Sequence, residues 1–573
     1  MERLDTAPSE KQMAADSGGG SSDGPEKLVV TCALPYADGD IHIGGVTSTY
    51  LPADIFVRYQ RLLGSSVVFV CASDDYGTPI LIAAENQGKQ PEEFVSYWNQ
   101  RFQQDFLGLG IKFDIFDQTS STENQELTQY FFTKLHEKGF ILKREVLEAY
   151  CPKCLKFLPD RYVKGRCPYC NAMEQYSDGC EKCGRVFERH QVLDPHCSIC
   201  GSKPETKSSE HFFFKLSHFS SQLEKWLKGN TNLQSSVRNY VTSWIKEGLK
   251  DWDITRDISW GVPIPLDEAQ GKVLYGWFDN HLCYISTALK YLEREGRDGK
   301  KFWNAAKIYH FIGKDIVYHH YLFLPAIRLG VNEYSLPHFI PTRGHLLLQG
   351  EKFSKSRGWG VGLREFLKEF PADYLRFYLA SITSYSEVDV NFDWRDFQAR
   401  INNELVANVG NFIHRTLTFA SSRIGEVPSP KDFDSEDRDL LDALSNVAER
   451  VGEEISKNEL ERGLKKILEF SDRCNRYFQK KEPWAESSDP SNCLFLCINA
   501  ARSLAVMLEP FLPESCERLW NMLALDGSLT ENGWNSASEI RMQPGHKIGK
   551  PQVLFRKIED HEIMKQLDRL NLH

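Results

Sequence analysis

Leu28-Val29-Val30-Thr31-Cys32-Ala33-Leu34 runs directly into Pro35-Tyr36-Ala37-Asp38-Gly39-Asp40-Ile41-His42-Ile43-Gly44-Gly45, and the reading of that junction decides the fold. The first seven residues are an apolar run of strand length. A turn-rich loop with Pro35 and Gly39 follows, and Val46, Tyr50, Ile55, Tyr59 and Leu62 then recur at the spacing of one buried helix face. Gly64 closes that helix. Val67 to Cys71 supplies a second apolar run, ending in Ser73-Asp74-Asp75-Tyr76-Gly77. Strand, helix, strand predicts a parallel, doubly wound, Rossmann-like α/β sheet, with ligands collecting beyond the carboxyl ends of its strands, where His42 and Asp74 both emerge. Further strand-like text stands at Val273 to Phe278 and at Ile308 to Asp315. Residues 146 to 240 break the pattern as a separate lobe, and from about Asp396 the text is helical throughout, which predicts an all-α bundle.

The 573 residues are 41% hydrophobic and 12% aromatic, enough for proper cores in three or four domains. Residues 1 to 26, with Ser17-Gly18-Gly19-Gly20-Ser21-Ser22, are too polar to fold and are expected to form a disordered tail. That stretch lacks a signal peptide's apolar region, and no run of 18 apolar residues occurs, so neither a membrane span nor secretion is expected and a cytoplasmic location is. A net charge of -10 disfavours broad binding to nucleic acid; any such partner must meet local basic patches.

Three motifs carry chemistry. His42-Ile43-Gly44 opening a helix after a turn sets backbone N–H groups, the positive helix end and an imidazole beside a phosphate. Lys352-Phe353-Ser354-Lys355-Ser356-Arg357-Gly358, with two lysines separated by small hydroxyl residues, suits a mobile phosphate clamp. Together they are suited to hold a nucleoside triphosphate from both sides. The third motif is four CxxC pairs, Cys151/Cys154, Cys167/Cys170, Cys180/Cys183 and Cys197/Cys200. Eight thiolates suffice for two closed, structural Cys₄ zinc sites, while spacing alone leaves open which pairs share an ion. In the helical region Asn408, Asn411 and Arg415 share one face, with Pro483-Trp484 downstream.

The chain resembles the class I aminoacyl-tRNA synthetases and, within them, the methionyl-tRNA synthetase family. The likeness rests on Ala33-Leu34-Pro35-Tyr36-Ala37, the His42 segment, Gly77-Thr78-Pro79, Gly313-Lys314-Asp315-Ile316 and Lys352 to Ser356, in that order, and extends from about Leu28 to the end. It implies activation of methionine by ATP to methionyl-adenylate and pyrophosphate, then transfer to the 3′ end of tRNA(Met). By this resemblance His42, Lys352 and Lys355 are catalytic, and Gly44, Gly45 and Ser354 join them around ATP with Mg²⁺. Leu34, Tyr36, Trp277, Tyr284, Ile316 and His320 line the methionine slot, where a hydroxyl or imidazole meets the sulfur, and Asp74 pairs with the ammonium. An inner zinc site of Cys167, Cys170, Cys180 and Cys183 is favoured, leaving Cys151, Cys154, Cys197 and Cys200 for a second ion; one or two ions are expected. Asn411, Arg415 and Trp484 match the readers of a CAU anticodon, single-stranded bases being read by stacking and hydrogen bonds.

The implied organisation is a tail (1–26), a Rossmann-like catalytic domain in two parts (27–145 and 241–335) around a zinc-knuckle insertion (146–240), a stem-contact region (336–395), an anticodon-binding bundle (396–540) and a segment folding back (541–573). Nothing past His573 resembles an appended tRNA-binding or dimerising domain, so a monomer without a membrane partner is expected. The chain departs from the family pattern at Gly45, where a histidine or asparagine-like residue is usual, at Asn280 and His281, where small Ala-Pro-like residues are usual, and at Leu324, where an aromatic stands. These departures keep two alternatives open: a catalytically impaired tRNA-binding or regulatory relative, and a ligase for another apolar amino acid.

Overall fold

The computed structural model describes residues 24–571 apart from 178–179, 181, 184, 186–190, 354–357 and 487. Strand β1, Lys27–Cys32, is buried from its second residue onward. After the Pro35 loop, a helical turn at Ile43–Gly45 passes through a π-helical stretch, Val46–Tyr50, into α1, Leu51–Leu62. Pro52, with no N–H to donate, stands in the first turn of α1, where the ladder returns to α geometry. Gly64, at φ +85°, then turns the chain.

Strands β2, Ser66–Ser73, and β3, Ile115–Gln118, follow on one side of β1. Two long strands, β4 at Ile141–Cys151 and β5 at Glu205–Phe214, pair antiparallel from Ile141↔Phe214 to Tyr150↔Glu205 and lead to the cysteine-rich lobe. The chain returns through β6, Lys307–Gly313, and β7, Thr342–Arg343. The sheet order is β7-β6-β1-β2-β3, every pairing parallel. From β1 the chain winds one way to β2 and β3 and later the other way to β6 and β7, so the topological switch point lies between β1 and β6. The run Val273 to Phe278, expected as a strand, is one only at Val273–Leu274; from Gly276 it is helix α2, Gly276–Arg294. A six-residue apolar run fits a buried helix as well as a strand.

Helix α3, Ala372–Ile382, leads into the helical part, built chiefly of α4 (Asn411–Arg423), α5 (Ser435–Ser456), α6 (Leu460–Lys481), α7 (Ser491–Leu508), α8 (Pro513–Met522) and α9 (Asp560–Asn571). Helix α7 is long and apolar enough to cross a membrane, yet 89% of it is buried inside the molecule as the bundle's core helix. The segment before α9 runs back along the start of this region: Gln398 and Asn402 donate to the Ile558 carbonyl, and the Tyr374 hydroxyl donates to that of Arg556.

Candidate active site

At the switch point the carboxyl ends of β1, β2 and β6 open on a cavity of about 630 Å³. Its lining includes Leu34, Tyr36, His42, Gly44, Gly45, Asp74, Trp277, Tyr284, Ile316 and Lys352, so ten of the residues expected at the site meet in one place. Lys355 and Ser354 lie outside the described residues. The chain just past the lysine segment is joined by backbone to the His42 segment: Ile43 N–H donates to Val361 O (3.1 Å) and Leu363 N–H to Ile41 O (2.8 Å). The Phe353 ring stacks on the His42 imidazole, centroids 5.0 Å apart. A Cβ at Gly44 would stand 2.8 Å from His42 Nδ1, so only glycine leaves that ring its position.

His320 is fully buried and stands behind the cavity wall rather than in it. Its Nδ1 faces the Ile316 carbonyl at 3.1 Å and its Nε2 the Tyr284 hydroxyl at 2.9 Å. A carbonyl only accepts, so Nδ1 carries the proton. Burial pushes the His320 pKa down to about 4, so at neutral pH Nε2 is an acceptor and Tyr284 donates to it. The hydroxyl and imidazole protons expected to meet the sulfur are therefore already engaged with one another and with the Ile316 carbonyl. Trp277 stacks on His319 at 3.8 Å and completes that wall.

Asp74 is buried where β2 ends, held by backbone hydrogen bonds from its own N–H to Pro35 O and from Ala37 N–H to its carbonyl. Burial raises its carboxyl pKa to about 8, against the opposing hydrogen bond from Asn280, whose Nδ2 lies 2.7 Å from Oδ2. Burial without a neighbouring cation therefore favours the neutral acid here. The other departures from the family pattern also fall around this site. His281 is buried against Trp277, His320 and Phe323 with neither ring nitrogen hydrogen-bonded, and Leu324 belongs to the apolar core. Sequence reading did not select Asp315, whose carboxylate accepts from His345 Nε2 at 3.2 Å; both line the cavity. Asp315 belongs to the Gly313-Lys314-Asp315-Ile316 segment, whereas nothing in the sequence marks His345.

The cysteines form two groups, Cys151, Cys154, Cys197 and Cys200 in one and Cys167, Cys170, Cys180 and Cys183 in the other, a nested arrangement rather than a sequential one. Sulfur–sulfur separations of 3.4 and 4.0 Å in the first and 3.8 and 3.5 Å in the second fit a tetrahedron with metal–sulfur bonds of about 2.3 Å, whose edge is ~3.8 Å. Backbone N–H groups of Cys154, Cys170 and Cys183 point at the first sulfur of their own pairs, as thiolates require. The donor set suits zinc.

In the helical part Asn411 Nδ2 donates to Asn475 and Arg415 donates to Gln479, both toward α6. The Arg415 guanidinium lies over the rings of Phe478 (5.0 Å) and Trp484 (5.6 Å), and Trp484 is 38% exposed. Asn408 is instead a tie between helices, donating to the Leu468 carbonyl and accepting from Asn475.

A parallel sheet with a cavity at its switch point, lined by a histidine at a helix start and by Lys352, and an appended helical bundle define the class I aminoacyl-tRNA synthetase architecture. A family model for class I tRNA synthetases (M) matches residues 28–417, and a model of the anticodon binding domain of methionyl tRNA ligase matches residues 427–571. The chain is 43% identical over 549 residues to a methionine–tRNA ligase of Methanopyrus kandleri, covering 94% of this chain and 81% of that one. It is 40% identical over 561 residues to one of Pyrococcus abyssi, covering 94% and 76%. The fold matches that of Mycobacterium tuberculosis methionyl-tRNA synthetase in complex with methionyl-adenylate, with a TM-score of 0.77 at 23% identity over 93% of this chain and 100% of that one. The chain belongs to the methionyl-tRNA synthetase family.

Proposed function

We propose that the chain is a methionine:tRNA ligase that works in two steps. An oxygen of the methionine carboxylate attacks the α-phosphorus of ATP, the bond to the β-phosphate oxygen breaks, and pyrophosphate leaves. A hydroxyl of the tRNA's terminal ribose then attacks the carbonyl carbon of the adenylate, and AMP leaves. Negative charge grows on the phosphate oxygens in the first step, so donors fixed before the reaction lower its barrier. His42, Lys352 and Lys355 take that role, with Gly44, Gly45 and Ser354 around the nucleotide, and Mg²⁺ accompanying ATP neutralises phosphate charge. Leu34, Tyr36, Trp277, Tyr284 and Ile316 hold the side chain, His320 orients Tyr284 from behind, and Asp74 takes the ammonium. The observation that carries this reading is the meeting of the His42 and Lys352 segments in one cavity with Asp74 on its wall.

The domain boundaries follow the same reading: 27–145 and 241–335 catalytic, 146–240 a lobe with two structural zinc ions, 336–395 a stem contact, 396–540 the anticodon-binding bundle and 541–573 a returning segment. Asn411, Arg415 and Trp484 read a CAU anticodon. Gly45, where a donor side chain is usual, favours a second reading, a tRNA-binding relative with impaired catalysis. Methionine-dependent exchange between ATP and pyrophosphate, with charging of tRNA(Met), is the expected result. Tight tRNA binding without exchange would establish the second reading, and exchange driven by another amino acid but not by methionine would make the chain a ligase for that amino acid.

A further inference from the structure

Seven buried polar atoms without a hydrogen-bond partner among the described residues gather at and behind the cavity wall: Asp74 Oδ1, both carboxylate oxygens of Asp279, Asn280 Oδ1, both ring nitrogens of His281, and His319 Nδ1. Each such atom costs stability unless something else occupies it, so the concentration marks a place adapted to more than packing. Asp74 and Asn280 alone among these residues line both this cavity and the adjoining one of about 340 Å³, which begins on the far side of Tyr36 and Trp277. Their side chains are joined by the 2.7 Å hydrogen bond from Asn280 Nδ2 to Asp74 Oδ2, and they are 5% and 3% exposed.

We propose that Asn280 is a positioning residue of the amino-group seat: its amide holds the Asp74 carboxylate in the orientation that receives the substrate ammonium. The inference rests on the reading of this cavity as an α-amino-acid site and goes beyond it, because a small residue is usual at this position and makes no such bond. An amide has a donor that a small apolar residue lacks; Asn280 provides the side-chain hydrogen bond to the Asp74 carboxylate, the backbone at Tyr76 acting on it as well, so that without Asn280 fewer contacts fix its χ2. The same bond is the largest influence opposing the burial that favours the neutral acid. Asn280 therefore keeps Asp74 both aimed and ready to ionise when an ammonium enters. Asp279, the preceding residue, is fully buried, and burial pushes its carboxyl well above the ordinary carboxylate range.

The test uses the full chain in ATP–pyrophosphate exchange, comparing wild type with Asn280→Ala and Asn280→Ser. Loss of one hydrogen bond to a charged group predicts a rise in KM for methionine of roughly 10- to 100-fold in Asn280→Ala. The kcat and the KM for ATP are expected to stay within about 2-fold, and Asn280→Ser, which retains a donor, to recover part of the loss. Inhibition by 2-hydroxy-4-(methylthio)butanoate, which lacks the ammonium, should change little. An unchanged or lower KM for methionine in Asn280→Ala, or equal losses for methionine and the hydroxy acid, would overturn the proposal while leaving the site reading intact. A wild-type chain that exchanges with no amino acid would overturn the reading and the proposal with it.

Discussion

Gly45 stands in ordinary right-handed helical backbone, φ -66° and ψ -33°, so glycine is not required there for its conformational freedom. Among the described residues a Cβ at that position meets only Tyr50 Cε2, at 3.7 Å, which is ordinary contact, and the residue faces the cavity that the phosphates are proposed to fill. A side chain therefore fits. Gly44, its neighbour, is the opposite case, since any Cβ would strike His42. The asymmetry gives a direct experiment: Gly45→His adds a donor beside the reacting phosphate without moving backbone. Donors of this kind contribute up to ~10²-fold or more to rate, so kcat for exchange is expected to rise at least several-fold while the KM for methionine stays fixed. Exchange kinetics on the purified variant check this, and a lower kcat would mean that the space at Gly45 is itself needed by the substrate. The sequence disclosed Gly45 as unusual because the position falls inside a short motif. It did not disclose what Asn280 does, because the partner of that side chain lies 206 positions away and only the fold brings them together.

At the scale of elements, the strand-helix-strand opening was legible because β1 and β2 are short apolar runs separated by a helix with a clear buried face. The start of α2 was not. Gly276-Trp277-Phe278 continues an apolar run of strand length, and no polar residue interrupts it before Asp279, so nothing in those first residues distinguishes a helix from a strand. The nested partnership of the cysteines was equally hidden, since four identical CxxC pairs carry no label for their partners. The antiparallel β4–β5 ribbon supplies the answer by bringing the ends of the lobe together, so that the first pair meets the last. This arrangement makes the two groups separable. Cys200→Ser should lower bound zinc from two ions per chain to one, measured by metal analysis after gel filtration, and should expose Cys151, Cys154 and Cys197 to alkylation. Cys167, Cys170, Cys180 and Cys183 should stay protected. Alkylation of Cys180 or Cys183 in that variant would instead indicate that the groups exchange partners.

For the whole molecule, the α/β part and the helical part are locked by two arginines that share one carboxylate. Arg376, on α3, is fully buried; it donates to Asp54 Oδ2 on α1 at 2.7 Å and to the carbonyls of Leu109, Pro510 and Phe511. Arg58 donates to the same Asp54, to Glu509 at 2.6 Å and to Gly110 O. The two cations hold the Asp54 carboxyl below its ordinary range even though burial works the other way. The ends of α1 and α7 are thereby fastened through charge rather than through apolar contact alone, which fixes direction as well as distance. Removing one partner of a buried pair typically costs about 3–5 kcal/mol, because the remaining charge loses its compensation. Arg376→Met, which keeps much of the volume, should lower the first unfolding transition in calorimetry and separate it from the second, since the shared fastening no longer couples the two parts. Methionine-dependent exchange, which uses only the α/β cavity, is expected to survive at low temperature in this variant. Charging of tRNA, which needs the bundle held at a set orientation to the cavity, is expected to fall more steeply. Equal loss of both activities with an unshifted transition would place the coupling elsewhere, in the apolar contacts between α1 and the bundle.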